Sequence, residues 1–93
     1  MAILSFRCKL TKKLFEGKAV PKFASFRTVA ERKLQMLDNA DTLAFLRSPA
    51  GNHLEALSGD RKGQHSIRVN DQFRICFVWT NMGPDLVEIV DYH

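Results

Sequence analysis

Apolar residues along the chain change period near residue 54. Before that point the clearest repeat is helical. Phe26, Val29, Ala30, Leu34 and Leu37 fall on one face, with Arg27, Glu31, Arg32 and Gln35 off it. Ser25 can cap this helix, Thr28 with Glu31 offers a capping box one turn later, and Asn39 is its stop. A shorter helix is expected over residues 10–16, closed by Gly17, with Pro21 separating the two. Residues 2–8 read as a first strand, and Asp41 can cap a short third helix running to about Phe45. Residues 48–52, Ser-Pro-Ala-Gly-Asn, are a loop by composition. Beyond residue 54 the pattern alternates. Strands are expected over 54–57, 64–69, 73–80 and 85–92, with turns at 58–63, 70–72 and 81–84. Helices followed by strands predict an α+β fold. An N-terminal strand and two to three helices pack on a mostly antiparallel sheet, in a single domain over residues 1–93.

The middle hairpin can be placed in register from burial alone. Ile67 and Val69 form the apolar face of one strand, and Phe73, Ile75, Phe77 and Trp79 that of the next. Opposing Val69 with Phe73 and Ile67 with Ile75 keeps apolar residues together and leaves a three-residue loop. A slip of one residue would set Arg68 beside Ile75. The chosen register places Arg68 opposite Arg74 on an outward face, where two like charges repel unless an anion or carboxylates lie between them. On that reading Arg74 is exposed, and its removal should change stability by no more than about 0.5 kcal/mol.

Composition narrows the class. The chain has 93 residues, two cysteines and a net charge of +4. Cys8 and Cys76 are too few for a disulfide framework, and no Cys/His spacing suggests a zinc site, so no metal or cofactor is expected. The longest apolar runs fall far short of the roughly 20 residues of a membrane helix, and a cytoplasmic protein with reduced thiols is expected. The charge is uneven, with a net of +6 over residues 1–47 and −2 over 48–93. The basic half, including Lys12 and Lys13, suits a phosphate backbone, although a solvated basic surface would look the same.

Candidate chemistry lies in the second half. Arginine forks at 68 and 74 suit phosphate oxygens. The chain closes on Asp91-Tyr92-His93, where alternation sets Asp91 and His93 on one side and Tyr92 on the other. His93 can exchange a proton near neutral pH, or be an inert tail. His53, Glu55, Asp60 and Arg61 offer a base and a phosphate ligand, or simply a solvated face and a Gly-Asp turn. His65 falls on the apolar face as a half-buried histidine. Phe73, Phe77 and Trp79 share that face with Ile75 and are core rather than a base-stacking platform. There is no Gly-rich phosphate loop, no nucleophile elbow and no HExxH.

Three segments together resemble the HigB toxins of the RelE superfamily, type II toxin–antitoxin proteins. They are Leu57-Ser58-Gly59-Asp60-Arg61-Lys62-Gly63, Ser66 through Phe77 with its Asn70-Asp71-Gln72-Phe73-Arg74 turn, and Val87-Glu88-Ile89-Val90-Asp91-Tyr92-His93. The resemblance extends over the whole chain, including the helix segment 29–34. It implies a microbial-RNase-like fold and a metal-independent endoribonuclease that enters the decoding site of the ribosome and cuts mRNA. The cut uses the RNA's own 2′-hydroxyl. The implied partners are a HigA-type helix-turn-helix antitoxin, the ribosome with its mRNA, and operator DNA through the antitoxin complex. The implied catalytic residues are Arg74, Asp91, Tyr92 and His93, with Glu55 as a candidate base. Arg61, Arg68, His53, Lys12 and Lys13 would bind RNA. Some members carry Leu-His-Pro-Leu-Lys-Gly-Asp-Arg, where this chain has Leu54-Glu55-Ala56-Leu57-Ser58-Gly59-Asp60-Arg61. Glu55 and Ser58 thus replace a histidine and a lysine, and His53, two residues before Glu55 and so on the same side of the strand, can substitute for the histidine. The rival reading is a non-catalytic basic module that blocks by occupying RNA or DNA.

Overall fold

The computed structural model describes residues 1–48 and 50–92. Helix α1 spans Lys9–Phe15 and α2 spans Arg27–Asn39, with a 3₁₀ turn, Pro21–Phe26, leading into α2. Strands β1 (Glu55–Ala56), β2 (His65–Arg68), β3 (Phe73–Thr80) and β4 (Gly83–Asp91) form one antiparallel sheet in the order β1-β2-β3-β4. The α+β architecture is the one the pattern predicts.

The hairpin register also agrees, with Ile67 opposite Ile75 and Arg68 opposite Arg74. Asn70 fixes its turn, because Oδ1 accepts from the backbone N–H of Gln72 at 2.9 Å and Phe73 at 2.7 Å. Between Cys76 and Val78 the β3–β4 register shifts. Leu86 and Val87 together oppose Phe77 there, and Leu86 takes a positive φ of 51°. Such a bulge bends the strand while both Phe77 and Val87 stay fully buried.

Four local expectations are corrected. Residues 2–8 do not make a full strand. The segment lies parallel to β4 through the single bridge Phe6–Val87, with Leu4 N donating to Pro84 O and Arg7 N to Val87 O. Neither Ser25 nor Thr28 caps α2, because the 3₁₀ turn runs straight into the helix. The third helix is a 3₁₀ turn, Ala44–Arg47, and Thr42 rather than Asp41 holds its start through Oγ1 and Phe45 N at 3.2 Å. The first strand of the second half shortens to Glu55–Ala56.

The core lies between the helices and one face of the sheet. Leu14, Phe23, Ala30, Leu34 and Leu37 meet Ile67, Ile75, Phe77, Val87 and Ile89 there. Full burial of each large side chain stabilises by about 1.5–3 kcal/mol. Thr11 ties α1 to the sheet, accepting from Ile89 N at 3.0 Å. With this face filled, the alternate residues of β2, β3 and β4 turn to the other side.

Candidate active site

Alternation places Ser66 and Arg68 of β2, Arg74 and Cys76 of β3, and Glu88 and Val90 of β4 on the face away from the helices. Arg61 reaches the same face from the 3₁₀ turn Gly59–Arg61. Its Nη1 donates to Glu88 Oε1 at 2.8 Å and to Gln64 Oε1 at 3.2 Å. The hydrogen bond to Glu88 holds the Arg61 guanidinium above its ordinary pKa, against the opposing effect of burial. The charges of Cys76, Glu88 and Tyr92 act on it in the same direction.

Arg74 is not the exposed residue the pattern suggests. It is 9% exposed, its Nε donates to Ser66 Oγ at 2.7 Å, and its Nη2 donates to the His53 carbonyl at 2.5 Å. The loop before β1 folds over it, which strand alternation does not reveal. Among the described residues none accepts from Nη1, and Glu55 Oε1 lies 3.8 Å from Nη2. Arg68, its cross-strand neighbour, pairs instead with Asp71. Cys76 is fully buried with Arg61 and Arg74 in electrostatic reach. Burial pushes its thiol up, the two arginines pull it down and Glu88 opposes them, with burial the largest effect. A protonated, buried thiol is no nucleophile.

The other candidates separate by face. Asp91 opposes Phe73 and so lies on the face opposite Arg74, where Gln72 Nε2 donates to its Oδ2 at 3.0 Å. Tyr92 follows on the Arg74 side and is 38% exposed. His53 contributes its carbonyl rather than its imidazole to the site, from a left-handed backbone with φ 44°. Lys12 and Lys13 lie in the last turn of α1 in the helical layer, across the sheet from Arg74. His65 stacks near Phe77 with its Nδ1 buried and unbonded. His93 lies outside the described residues.

Residues 4–93 match the family model described as the RelE-like toxin of type II toxin-antitoxin system HigB. The chain belongs to the HigB-like toxin family. Toxin HigB-1 of Vibrio cholerae serotype O1 is 37% identical over 94 residues, covering 97% of this chain and 96% of that protein. An uncharacterized protein of Haemophilus influenzae is 42% identical over 53 residues, which is 57% of this chain and 52% of that one. This HigB-like protein is therefore a toxin, and membership of a type II system implies an antitoxin partner. Among the described residues no helix is long and apolar enough to cross a membrane, and no group of three or more His, Cys, Asp or Glu could hold a metal.

Sequence reasoning missed Glu88 and Ser66 as parts of this HigB-like site. Alternation of Glu88 with Val87 and Ile89 marks the face it occupies, but only the sheet order brings Arg61 to it. The sequence counts Lys33 in the basic surface of the N-terminal half, but it is 7% exposed on α2 and bonded through Nζ to Asn52 Oδ1. Burial, then the neighbouring charges of Arg32 and Arg68, lower its pKa from 10.5. Folding lowers that pKa, so the unfolded chain binds more protons in the alkaline window below 10.5, and Lys33 makes stability rise with pH there. Melting curves at about pH 8 and about pH 10 check this, with Lys33→Met as the reference lacking the titration. The wild type should gain on the variant at the higher pH, and a constant difference would contradict it.

Proposed function

We propose that this HigB-like toxin is a ribosome-dependent mRNA endonuclease acting by attack of the RNA 2′-oxygen on the adjoining phosphorus. What carries the reading is the gathering of Arg74, Arg61, Glu88, Glu55 and Tyr92 about one sheet face in a chain of this family. Glu55, with a side chain 56% exposed, takes the 2′-hydroxyl proton. The 2′-oxygen–phosphorus bond forms, the phosphorus–O5′ bond breaks, and the leaving oxygen receives a proton from His93. The products are a 2′,3′-cyclic phosphate and a 5′-hydroxyl. Arg74, with Arg61 on the same face, stabilises the charge gathering on the phosphate oxygens. Tyr92 stacks on or positions a base, Glu88 holds Arg61, and Asp91 with Gln72 orients the end of β4. Lys12, Lys13 and Arg68 contact RNA backbone. In-line placement by the ribosome supplies the rest of the acceleration. The partner is a HigA-type antitoxin, whose complex binds operator DNA.

Single-turnover cleavage on programmed ribosomes, with end-group analysis of the fragments, tests the reading. Glu55→Gln should cut at least about 10²-fold more slowly, the lower end for a lost acid–base group, with melting temperature little changed. A wild-type rate would remove Glu55 as the base. Engagement of the Arg74 fork by Ser66 and His53 favours the second reading, inhibition by occupancy. An enzyme leaves new 5′ ends at codon positions in cellular mRNA, and a blocker leaves none.

A further inference from the structure

A buried charge sits one bond away from the candidate site and contacts none of its reacting groups. Lys33 carries its ammonium from α2 into the protein and meets Asn52, which is fully buried. Asn52 Nδ2 donates to Leu46 O at 3.0 Å and to Met36 Sδ at 3.1 Å. The side chain is thereby tied to α2 twice and to the 3₁₀ turn Ala44–Arg47 once. The next residue, His53, adopts φ 44°, and its carbonyl is the acceptor for Arg74 Nη2. A non-glycine residue held in a left-handed conformation costs on the order of 1 kcal/mol and persists only where its surroundings fix it.

We propose that Lys33 and Asn52 form a polar lock that holds the His53 carbonyl in place and so positions the Arg74 guanidinium for phosphate. The assignment rests on the reading of Arg74 as the phosphate ligand. Lys33 is a positioning residue, since nothing places it against RNA. Packing alone does not account for a lysine here. A buried cation opposite a neutral amide is unfavourable, and an apolar chain of similar volume would serve the core as well or better. The lysine does supply direction. Its bond fixes the Asn52 amide, Asn52 fixes the loop, and the loop decides where the His53 carbonyl, the second anchor of Arg74, lies. Ser66 grips the guanidinium from β2, so only the His53 end depends on α2.

The test reads Arg74 itself. In nitrogen-15 spectra of the whole chain, the Arg74 Nε–H should exchange slowly, because it is buried and donates to Ser66. In Lys33→Met that exchange should speed up at least about tenfold, while the β3 backbone amides of Ile75 and Phe77 keep their protection. Lys33→Arg, which keeps a cationic donor, should restore slow exchange. Asn52→Ser interrogates the same lock from its other end and should also release Arg74. Unchanged Arg74 exchange in both Lys33→Met and Asn52→Ser overturns the proposal, as does loosening of β3 in step with Arg74. On programmed ribosomes Lys33→Met should lower kcat by about tenfold to a hundredfold with KM unchanged. A wild-type chain that cuts nothing would sink the ribonuclease reading, while the exchange data would still decide the lock.

Discussion

Arg74→Ala should reduce single-turnover cleavage by about 10²–10³-fold, the usual cost of one donor aimed at developing negative charge. Unlike an exposed arginine, it should also weaken the fold. Ser66 Oγ and the His53 carbonyl both lose a donor, and a buried group left unsatisfied costs roughly 1–3 kcal/mol. Arg74→Lys separates the two effects. A lysine keeps the charge, but a single ammonium cannot reproduce a planar fork that spans Ser66 and the His53 loop. Its activity should stay close to that of the alanine variant, with part of the stability recovered. Thermal melts and cleavage rates taken well below both melting temperatures check the pair. Wild-type cutting by Arg74→Ala would take Arg74 out of the site. Unchanged melting would contradict its anchoring.

Gly83→Ala should produce the largest loss of stability. Gly83 opens β4 at φ +129°, a conformation open in practice only to glycine, and an added Cβ would lie 2.6 Å from Ala2 O and 3.3 Å from Met1 Cβ. Backbone strain of about 1–3 kcal/mol combines with displacement of the N-terminal segment and its hydrogen bonds to β4, for a total on the order of 3 kcal/mol. For a chain of this size that lowers the melting temperature by roughly 10–20 °C. Gly63→Ala is the control. It has a positive φ of 93°, and no atom lies within 4 Å of the added Cβ, so it carries strain without a clash. Equal losses in the two variants would mean that the close approach of the N-terminal segment contributes nothing.

The alternating period by itself determined the pairing of β2 with β3. With a three-residue loop, opposing Val69 with Phe73 and Ile67 with Ile75 keeps the apolar residues together where a slip of one residue does not, and this register sets Arg68 opposite Arg74. It likewise separated Asp91 from Tyr92, because successive side chains of a strand point to opposite faces. The helical stripe located α2 in the same way, and three segments carrying a shared signature were enough to suggest the family. Alternation is a local rule, however, and says nothing of what later covers a face. Which of Asp91 and Tyr92 shares the side of Arg74 follows from the β3–β4 register, and it is Tyr92. Arg74 is buried because the loop through Asn52 and His53 closes over it, held by a lysine from α2, and those partners lie 21 or more positions away in the chain. Arg61 finds Glu88 across 27 positions for the same reason. Periodicity fixes direction along one element, whereas burial and ion pairing depend on which elements meet, and that is decided only when the sheet and helices close around a common core.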